Sequence, residues 1–216
     1  MARLDLRSLS LGVLFVIGLG IFGYCAGAVE SLPGEISSVT WVQSWRTSWL
    51  DTAMKAVSVL GTLPVAAPVV LVLAMGIYAL GWRAEAVLLL ATTAAGRLVA
   101  MGLKDVIARP RPSEDFVQVL QETSSYSFPS GHAMHYAVLF GIVLVVLNSR
   151  TGSGALLRIT AIAFTALLVV MGLSRIYLGV HWLWDVVGGY VFGAGVVMVA
   201  TWVWGCWPAP HDTKNK

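Results

Sequence analysis

Three short segments within residues 104–185 contain the residue types that could bind a phosphate group and cleave its ester. In chain order they read K-x6-R-P, P-S-G-H and S-R-x5-H-x3-D. Cations can neutralise phosphate oxygens, and imidazoles can attack phosphorus or protonate a leaving group. The chemically active members of the three segments are Lys104, Arg111, Ser130, Gly131, His132, Arg175, His181 and Asp185. Together they predict phosphoryl chemistry.

His181 and Asp185 are the candidates for covalent catalysis. Residues four apart lie about one turn apart on the same helical face. A carboxylate there can bind one imidazole nitrogen, which fixes the tautomer and leaves the other nitrogen free to attack phosphorus. The product of that attack would be a phosphohistidine. Taken alone, the His-x3-Asp spacing is equally consistent with a structural pair or with half of a metal site.

The second segment predicts an anion site at the start of a helix. Pro129 and Gly131 interrupt the preceding loop, and Ser130 is a favourable N-cap residue. Free backbone N–H groups at a helix N-terminus bind anions. We expect His132 to face the bound phosphate and to protonate the departing oxygen. His135, one turn later, is interpreted as a packed or hydrogen-bonded helix histidine.

Three cations are predicted to bind the phosphate. Lys104 ends an apolar segment, and the prolines on both sides of Arg111 force an extended chain there. With Arg175, these residues match the charge that spreads over the equatorial oxygens during phosphoryl transfer. Arg109 lies two residues short of the K-x6-R spacing, so we interpret it as a rim residue.

Other charged residues near these segments have open roles. Arg97 lies within an apolar segment, seven residues before Lys104 and on the same helical face. A cation inside a membrane is by default a functional hypothesis, although Arg97 could also pair with a carboxylate that the sequence does not identify. Glu114 and Asp115 could be mistaken for metal ligands, and we interpret them as solvated loop acids.

The composition is that of a membrane protein. The 216 residues are 57% hydrophobic and 12% charged, whereas soluble domains average about 25% charged residues. Apolar segments of roughly 20 residues, long enough to cross a bilayer, predict spans at 8–29, 53–81, 84–103, 131–148, 155–174 and 182–205. The second is long and contains Pro64 and Pro68, which predict either a kink or a start later than residue 53. We therefore predict an all-α fold, an integral membrane bundle of six transmembrane helices that forms one domain over residues 1–216.

The positions of the cations predict the orientation of this bundle in the membrane. If the spans alternate, one side receives Arg3, Arg7, Arg83, Arg150, Arg158, Lys214 and Lys216. That side should be cytoplasmic, with both termini there and all three segments on the extracytoplasmic side. The first span is predicted to be retained rather than cleaved as a signal peptide. The net charge of +3 does not indicate nucleic-acid binding.

The region between the first two spans contains a regular tryptophan pattern. Trp41, Trp45 and Trp49 recur every four residues, which predicts a short helix lying in the outer membrane interface. Anchoring is the favoured interpretation, and a lip for lipid entry is the alternative. Cys25 and Cys206 are predicted near opposite membrane surfaces, too far apart for a disulfide.

The three segments resemble the signature of the type 2 phosphatidic acid phosphatase (PAP2) superfamily, with every motif position present in order over residues 104–185. The six-span layout resembles the membrane branch, which includes bacterial phosphatidylglycerophosphate and undecaprenyl-diphosphate phosphatases. The resemblance implies an integral membrane enzyme with an extracytoplasmic site and no metal or other cofactor. It also implies His181 as nucleophile, Asp185 as its partner and His132 as acid. The phosphate ligands it implies are Lys104, Arg111, Ser130, Gly131 and Arg175.

The expected function is that of a metal-independent lipid phosphatase of the cell membrane. Phosphatidate, phosphatidylglycerophosphate and undecaprenyl diphosphate are all candidate substrates. The expected partners are the lipid phosphate and the bilayer, with no nucleic acid and with the oligomeric state open. Alternatives are a vanadate-dependent haloperoxidase-like reaction, a lipid phosphotransferase and a non-enzymatic membrane protein. Six apolar spans argue against the first, and the intact histidines and aspartate argue against the last.

Overall fold

The computed structural model describes residues 6–29 and 31–206, and this part of the chain contains helices and no strand. Arg3, Lys214 and Lys216, used above to predict the orientation, lie outside the described residues. The helices are α1 (Leu6–Gly27), α2 (Glu35–Gln43), α3 (Ser48–Leu60), α4 (Leu63–Ala79), α5 (Arg83–Ile107), α6 (Gly131–Thr151), α7 (Ala155–Tyr177) and α8 (Leu183–Cys206). The predicted all-α fold is confirmed.

Four helices, α5 to α8, are long and apolar enough to cross a membrane. The consecutive helices α3 and α4 form a fifth candidate span if the bent pair is counted as one. Helix α1 overlaps the first predicted span, 8–29. The described part of the chain therefore supports four to five spans by length and composition, and a total of six remains a prediction.

The bend between α3 and α4 divides the predicted span 53–81. The two helices meet at 55° across residues 61–62. Pro64 lies in the first turn of α4, where a missing N–H removes no helical hydrogen bond. Pro68 lies inside α4. The kink was predicted from both prolines, but the chain bends before them, where His132 packs closely against Gly61.

Helix α6 lies at the centre of the bundle, packed against α5, α7 and α8. Its approach to α8 requires glycines, because a Cβ at Gly189 would lie 2.7 Å from the carbonyl oxygen of Ser130. One turn further along α8, a Cβ at Gly193 would lie 2.6 Å from the Cβ of Ala137. This close contact holds the start of α8, with Asp185, against the start of α6.

Phe128 fixes the loop that leads into α6. Its side chain is fully buried and lies between two glycines, Gly23 of α1 and Gly188 of α8. A Cβ at Gly188 would lie 2.5 Å from the phenyl ring. The bond from Phe128 to Pro129 is a cis peptide. The ring therefore ties the P-S-G-H segment to helices from both ends of the described chain.

The tryptophan pattern does not form one helical stripe. Trp41 lies on α2, Trp45 in the following turn and Trp49 on α3. A new helix begins here because the Thr47 hydroxyl accepts the N–H of Leu50 at 3.4 Å, as an N-cap. The three indoles are nevertheless all exposed. The prediction that one helix contains all three tryptophans is therefore wrong, whereas the location of this segment in the membrane interface stays a prediction.

Candidate active site

The three segments meet at one end of the bundle, which we call the motif end. It consists of the C-terminal ends of α5 and α7, the loop 108–130, the turn 178–182 and the N-terminal ends of α6 and α8. The opposite end contains the starts of α5 and α7. All eight residues predicted for the site lie at the motif end, within one connected set of contacts.

The carboxylate of Asp185 is held by several donors. Its Oδ2 atom accepts the backbone N–H of Trp182 at 2.8 Å and the hydroxyl of Ser127. The same oxygen lies 3.4 Å from Nδ1 of His181. The predicted pairing of His181 with Asp185 is therefore present, in a carboxylate whose orientation is set by its other donors.

Arg109 is the principal correction to the predicted site. It is not a rim residue, because its side chain is fully buried together with those of Glu35 and Asp185. One terminal nitrogen donates to Oδ1 of Asp185 at 2.7 Å, and the other donates to Oε2 of Glu35 at 2.6 Å. Two buried carboxylates need a buried cation between them, and Arg109 is that cation.

Burial alone would lower the pKa of Arg109. The hydrogen bonds that Arg109 donates to Glu35 and the negative charge of Asp185 outweigh this effect, so the pKa of Arg109 is raised above its ordinary value. Arg109 therefore stays charged, and Asp185 keeps a permanent counter-ion on the oxygen that does not face His181.

Sequence reasoning missed Glu35 and Ser127. Glu35 starts α2 and accepts the N–H of Leu32 at 2.7 Å, so by sequence it is an ordinary first-turn acid. No local spacing relates it to Arg109, which follows seventy-four residues later. Arg109 itself carries no distinguishing signal, because Lys104, Asp105 and Arg111 are charged residues in the same segment.

The contacts of His181 define its tautomer. Nε2 lies 3.3 Å from a terminal nitrogen of Arg111, and a guanidinium can only donate hydrogen bonds. Nε2 therefore holds the lone pair, and Nδ1 holds the proton that faces Asp185. Burial and the positive charges of Arg111 and Lys104 keep the pKa of His181 well below its ordinary value. The imidazole is neutral at physiological pH.

Lys104 and Arg111 converge on one backbone carbonyl. Both donate to the oxygen of Tyr126, Arg111 at 3.2 Å, and Arg111 also donates to the carbonyl of Ser125 at 2.5 Å. Burial lowers the pKa of Arg111 to about 10, so its guanidinium remains charged at neutral pH. The predicted meeting of a helix lysine and a loop arginine is present.

Arg175 and His132 share contacts with Ser58 of α3. Arg175 donates to the Ser58 hydroxyl at 2.5 Å and to the side-chain oxygen of Gln121 at 3.3 Å. Nε2 of His132 donates to the Ser58 carbonyl at 3.0 Å. A carbonyl can only accept, so Nε2 of His132 holds a proton. Ser58 and Gln121 were not identified from the sequence, because nothing local relates them to the three segments.

Ser130 and Gly131 complete the site at the start of α6. The backbone N–H of Ser130 donates to the Asp185 carbonyl at 2.8 Å. Ser130 is the N-cap residue, as predicted, but its hydroxyl makes no capping bond. That hydroxyl and Nε of Arg175 are buried without a hydrogen bond in the structure. A Cβ at Gly131 would lie 3.9 Å from Cε of Lys104, so the loop and the lysine are adjacent.

Comparison with known proteins gives concordant results. The PAP2 superfamily family model matches residues 85–208. Phosphatidylglycerophosphatase B of Bacillus subtilis is 32% identical over 167 residues, covering 77% of this chain and 80% of that protein. An undecaprenyl-diphosphatase of Sulfolobus acidocaldarius is 37% identical over 73 residues, which are 34% of this chain and 31% of that one.

The fold also matches a solved structure, that of a transmembrane PAP2 type phosphatidylglycerolphosphate phosphatase from Bacillus subtilis. The TM-score is 0.76 at 24% identity, over 90% of this chain and 98% of the other. These findings define a multi-pass membrane protein that acts as a lipid phosphatase. The chain belongs to the PAP2 superfamily, which confirms the family predicted from the three segments.

Proposed function

We propose that this enzyme hydrolyses the terminal phosphate of a lipid phosphate or diphosphate through a phosphohistidine at His181. The observation that supports this most directly is the orientation of the His181 ring. Its unprotonated Nε2 faces Arg111 at 3.3 Å, and its Nδ1 faces the buried Asp185 at 3.4 Å. A nucleophile with its lone pair directed at a cluster of cations is placed to attack a phosphate that those cations bind.

In the first half-reaction, Nε2 of His181 forms a bond to phosphorus as the bond to the leaving oxygen breaks. That oxygen takes a proton from His132, which enters the step as an imidazolium stabilised by the bound phosphate and leaves it as a neutral imidazole. The ring of His181 becomes positively charged, and the Asp185 carboxylate stabilises it through Nδ1–H. Lys104, Arg111 and Arg175 stabilise the charge on the three equatorial oxygens.

In the second half-reaction, water attacks the phosphohistidine. His132, now a neutral imidazole, takes one proton from this water, and the N–P bond breaks to return the electron pair to His181. Free phosphate leaves, and both histidines are restored to their starting forms. The Ser58 carbonyl, 3.0 Å from Nε2 of His132, holds that imidazole in place between steps.

The test is a rapid-quench experiment with purified full-length protein. His181→Ala should insert in the membrane but lose nearly all turnover. His132→Ala should be similarly slow, yet accumulate acid-labile phosphoenzyme from a substrate with a good leaving group. An active His181→Ala protein, with no acid-labile phosphate in the wild type, would overturn the covalent mechanism.

We also propose that the three protein cations replace a divalent metal ion at the phosphate. EDTA should therefore leave activity largely intact. Vanadate adopts a five-coordinate geometry like that of the transferring phosphoryl group, so it should inhibit competitively. Loss of activity in EDTA that added Mg²⁺ restores would instead direct attention to Glu114 and Asp115.

The motif end is proposed to face the extracytoplasmic side of the cell membrane, with both termini in the cytoplasm. The described cations of the opposite end, among them Arg83, Arg150 and Arg158, support this orientation. The substrate would then be a lipid in the outer leaflet. The exposed Trp41, Trp45 and Trp49 would lie at the depth of its headgroup.

Sidedness can be tested with single cysteines at Ser113 and Ser153. The free thiols of Cys25 and Cys206 are first removed by substitution. In intact cells, a membrane-impermeant thiol reagent should label position 113 and spare position 153. The reverse pattern would overturn the orientation and the choice of an outer-leaflet lipid.

Phosphatidylglycerophosphate and undecaprenyl diphosphate are the proposed substrates. Relatives named for each of these lipids match the chain, at 32% and 37% identity. Phosphate release from a panel that contains both lipids and phosphatidate, with all three presented in the same detergent micelles, would rank them. Transfer of the phosphate to another lipid without release would instead indicate a phosphotransferase.

A further inference from the structure

Arg97 is a cation that the catalytic mechanism does not use. It lies within α5 (Arg83–Ile107), about 15 Å along the axis from the motif end of that helix. Its side chain is exposed at the surface of the bundle, with the apolar Leu98 and Val99 beside it. No carboxylate in the described part of the chain forms an ion pair with it. A charged side chain at this depth costs several kcal/mol in a bilayer, which calls for a function.

His135 of α6 lies beside Arg97. The antiparallel helices α5 and α6 are in register, since Gly96 packs against Val138 and Lys104 lies next to Gly131. Arg97 and His135 therefore come at the same level between these two contacts. The Nε2 atom of His135 is buried and makes no hydrogen bond in the structure.

The pair lies one to two helical turns from the residues proposed to bind the terminal phosphate. His135 follows His132 by one helical turn, and Arg97 precedes Lys104 by two turns on the same face. The bend between α3 and α4 lies near His135, because the hydroxyl of the adjacent Tyr136 donates to the carbonyl of Leu60 at 3.0 Å. Among the described residues, neither the Arg97 side chain nor Nε2 of His135 has a hydrogen-bond partner.

A bound lipid must pass this level. Its terminal phosphate lies among the catalytic cations, and its tail extends toward the centre of the bilayer. Any second anionic group between the terminal phosphate and the tail is therefore brought toward Arg97 and His135. A guanidinium and an imidazole N–H are good ligands for such an anion.

We propose that Arg97 and His135 form a second anion subsite, which binds an inner phosphate of the lipid substrate. This inference rests on the proposed lipid-phosphate hydrolysis and narrows its substrate class. The inner group is either the proximal phosphate of a polyprenyl diphosphate or the phosphodiester of phosphatidylglycerophosphate. Phosphatidate has one phosphate, so this subsite should not increase its binding affinity.

The first test compares Arg97→Gln with wild type on three lipids in the same micelles. For lipids with two phosphates, KM should rise on the order of tenfold or more. This is the loss of affinity expected when a hydrogen bond to a charged group is removed. Phosphatidate turnover should not change. A higher KM for only one of the two-phosphate lipids would support the subsite and identify which inner phosphate it binds. An equal rise in KM for all three lipids, or no rise, would overturn the subsite.

Two further variants control for folding and charge. Arg158→Gln removes an exposed cation of the opposite end and should behave as wild type on every lipid. Arg97→Lys keeps the charge and should retain most of the preference for two phosphates. If Arg97→Lys lost the same activity as Arg97→Gln on all lipids, including phosphatidate, the role of Arg97 would be structural and the subsite would be rejected.

A binding measurement separates this inference from the proposed function. Inorganic pyrophosphate should raise the thermal unfolding temperature of the wild type more than orthophosphate does, at equal concentration. Arg97→Gln should abolish that difference while orthophosphate still binds. A wild type that hydrolyses none of the lipids but shows this Arg97-dependent preference would retain the subsite and reject the function. Absence of the preference in an active wild type would reject the subsite alone.

Discussion

The two ends of the bundle each contain an arginine paired with glutamate, in very different surroundings. At the motif end, the side chains of Arg109, Glu35 and Asp185 have 0% exposure. At the opposite end, Arg150 is bound to Glu85, and its side chain is 39% exposed. Nε of Arg150 donates to Glu85 at 2.7 Å, so the hydrogen-bond geometry of the two ends is similar.

The difference between the ends lies in what each pair can contribute. At the opposite end, water competes for the partly exposed Arg150, which weakens the pair, although the Glu85 side chain is itself only 9% exposed. A buried set is costly to desolvate, and apolar residues of similar volume would often stabilise a fold equally well. Asp185 is the carboxylate that orients His181. We therefore interpret the buried set as the means by which α2 and the loop 108–130 hold Asp185, the proposed catalytic partner of His181, in place.

The largest expected effect is that of Arg109→Leu. It leaves Glu35 and Asp185 buried without a counter-ion, which should destabilise the folded protein by about 3–5 kcal/mol and remove activity. Unfolding by denaturant in detergent micelles, with phosphate release measured in parallel, would test this. A variant with wild-type stability would show that water reaches the buried set.

Glu35→Gln should separate the effect of the buried set on the orientation of Asp185 from its effect on the stability of the fold. The amide keeps the shape of the side chain but removes one negative charge. Arg109 then interacts with one carboxylate instead of two, so the position of Asp185 should change. We expect kcat to fall between about tenfold and a hundredfold, as when a partner that orients a catalytic ligand is lost, with little change in KM. Glu85→Gln at the opposite end is the matched control and should leave kcat unchanged. Equal effects of the two variants would contradict the comparison.

The environment of the motif end also predicts an unusual pH dependence. Burial and the charges of Arg111 and Lys104 lower the pKa of His181 well below 6.5, so the neutral nucleophile persists as the pH falls through 6.5. The acid limb of kcat/KM should therefore not show a histidine transition near 6.5, once the ionisation of the substrate phosphate, near pH 6, is subtracted. Phosphate release between pH 5 and 8 would measure this. A midpoint at 6.5 that remains after the correction would show that His181 is solvated.

The smallest effect is expected for Arg150→Gln. The variant leaves the buried Glu85 without its cation. The cost should therefore lie between about 0–1 kcal/mol, as for an exposed pair, and about 3–5 kcal/mol, as for a buried one, and it should decrease with added salt. Activity should be that of the wild type. Denaturant unfolding at low and high ionic strength would test this, and a loss comparable to that of Arg109→Leu would remove the distinction between the two ends.

Local spacing predicted those parts of the site in which residues are close in sequence. His181 and Asp185 are one turn apart on any helix, and Lys104 and Arg111 are joined by a short proline-containing loop. The interactions of Arg109 and Arg175 were not predictable in this way. Glu35 and Ser58 reach them only because α2 and α3 fold over the motif end, and no periodicity in the sequence encodes that contact.

The fold shows the same limit. Apolar length predicted the long helices, and their positions are close to those expected. The tryptophan period of four suggested a continuous helix, but the N-cap at Thr47 starts α3 within that pattern. The bend before Pro64 packs against His132. This is a tertiary contact, and the local sequence does not predict it.

The position of Phe128 has a consequence for how the enzyme is made. Its ring is enclosed by Gly23 and Gly188, which are synthesised far apart in time. The ring therefore gains all of these contacts only after α8 packs beside α1. A nascent chain that contains Lys104, Arg111 and His132 but not α8 also lacks Asp185, the proposed partner of His181. We therefore expect hydrolysis to begin only after α8 has been inserted.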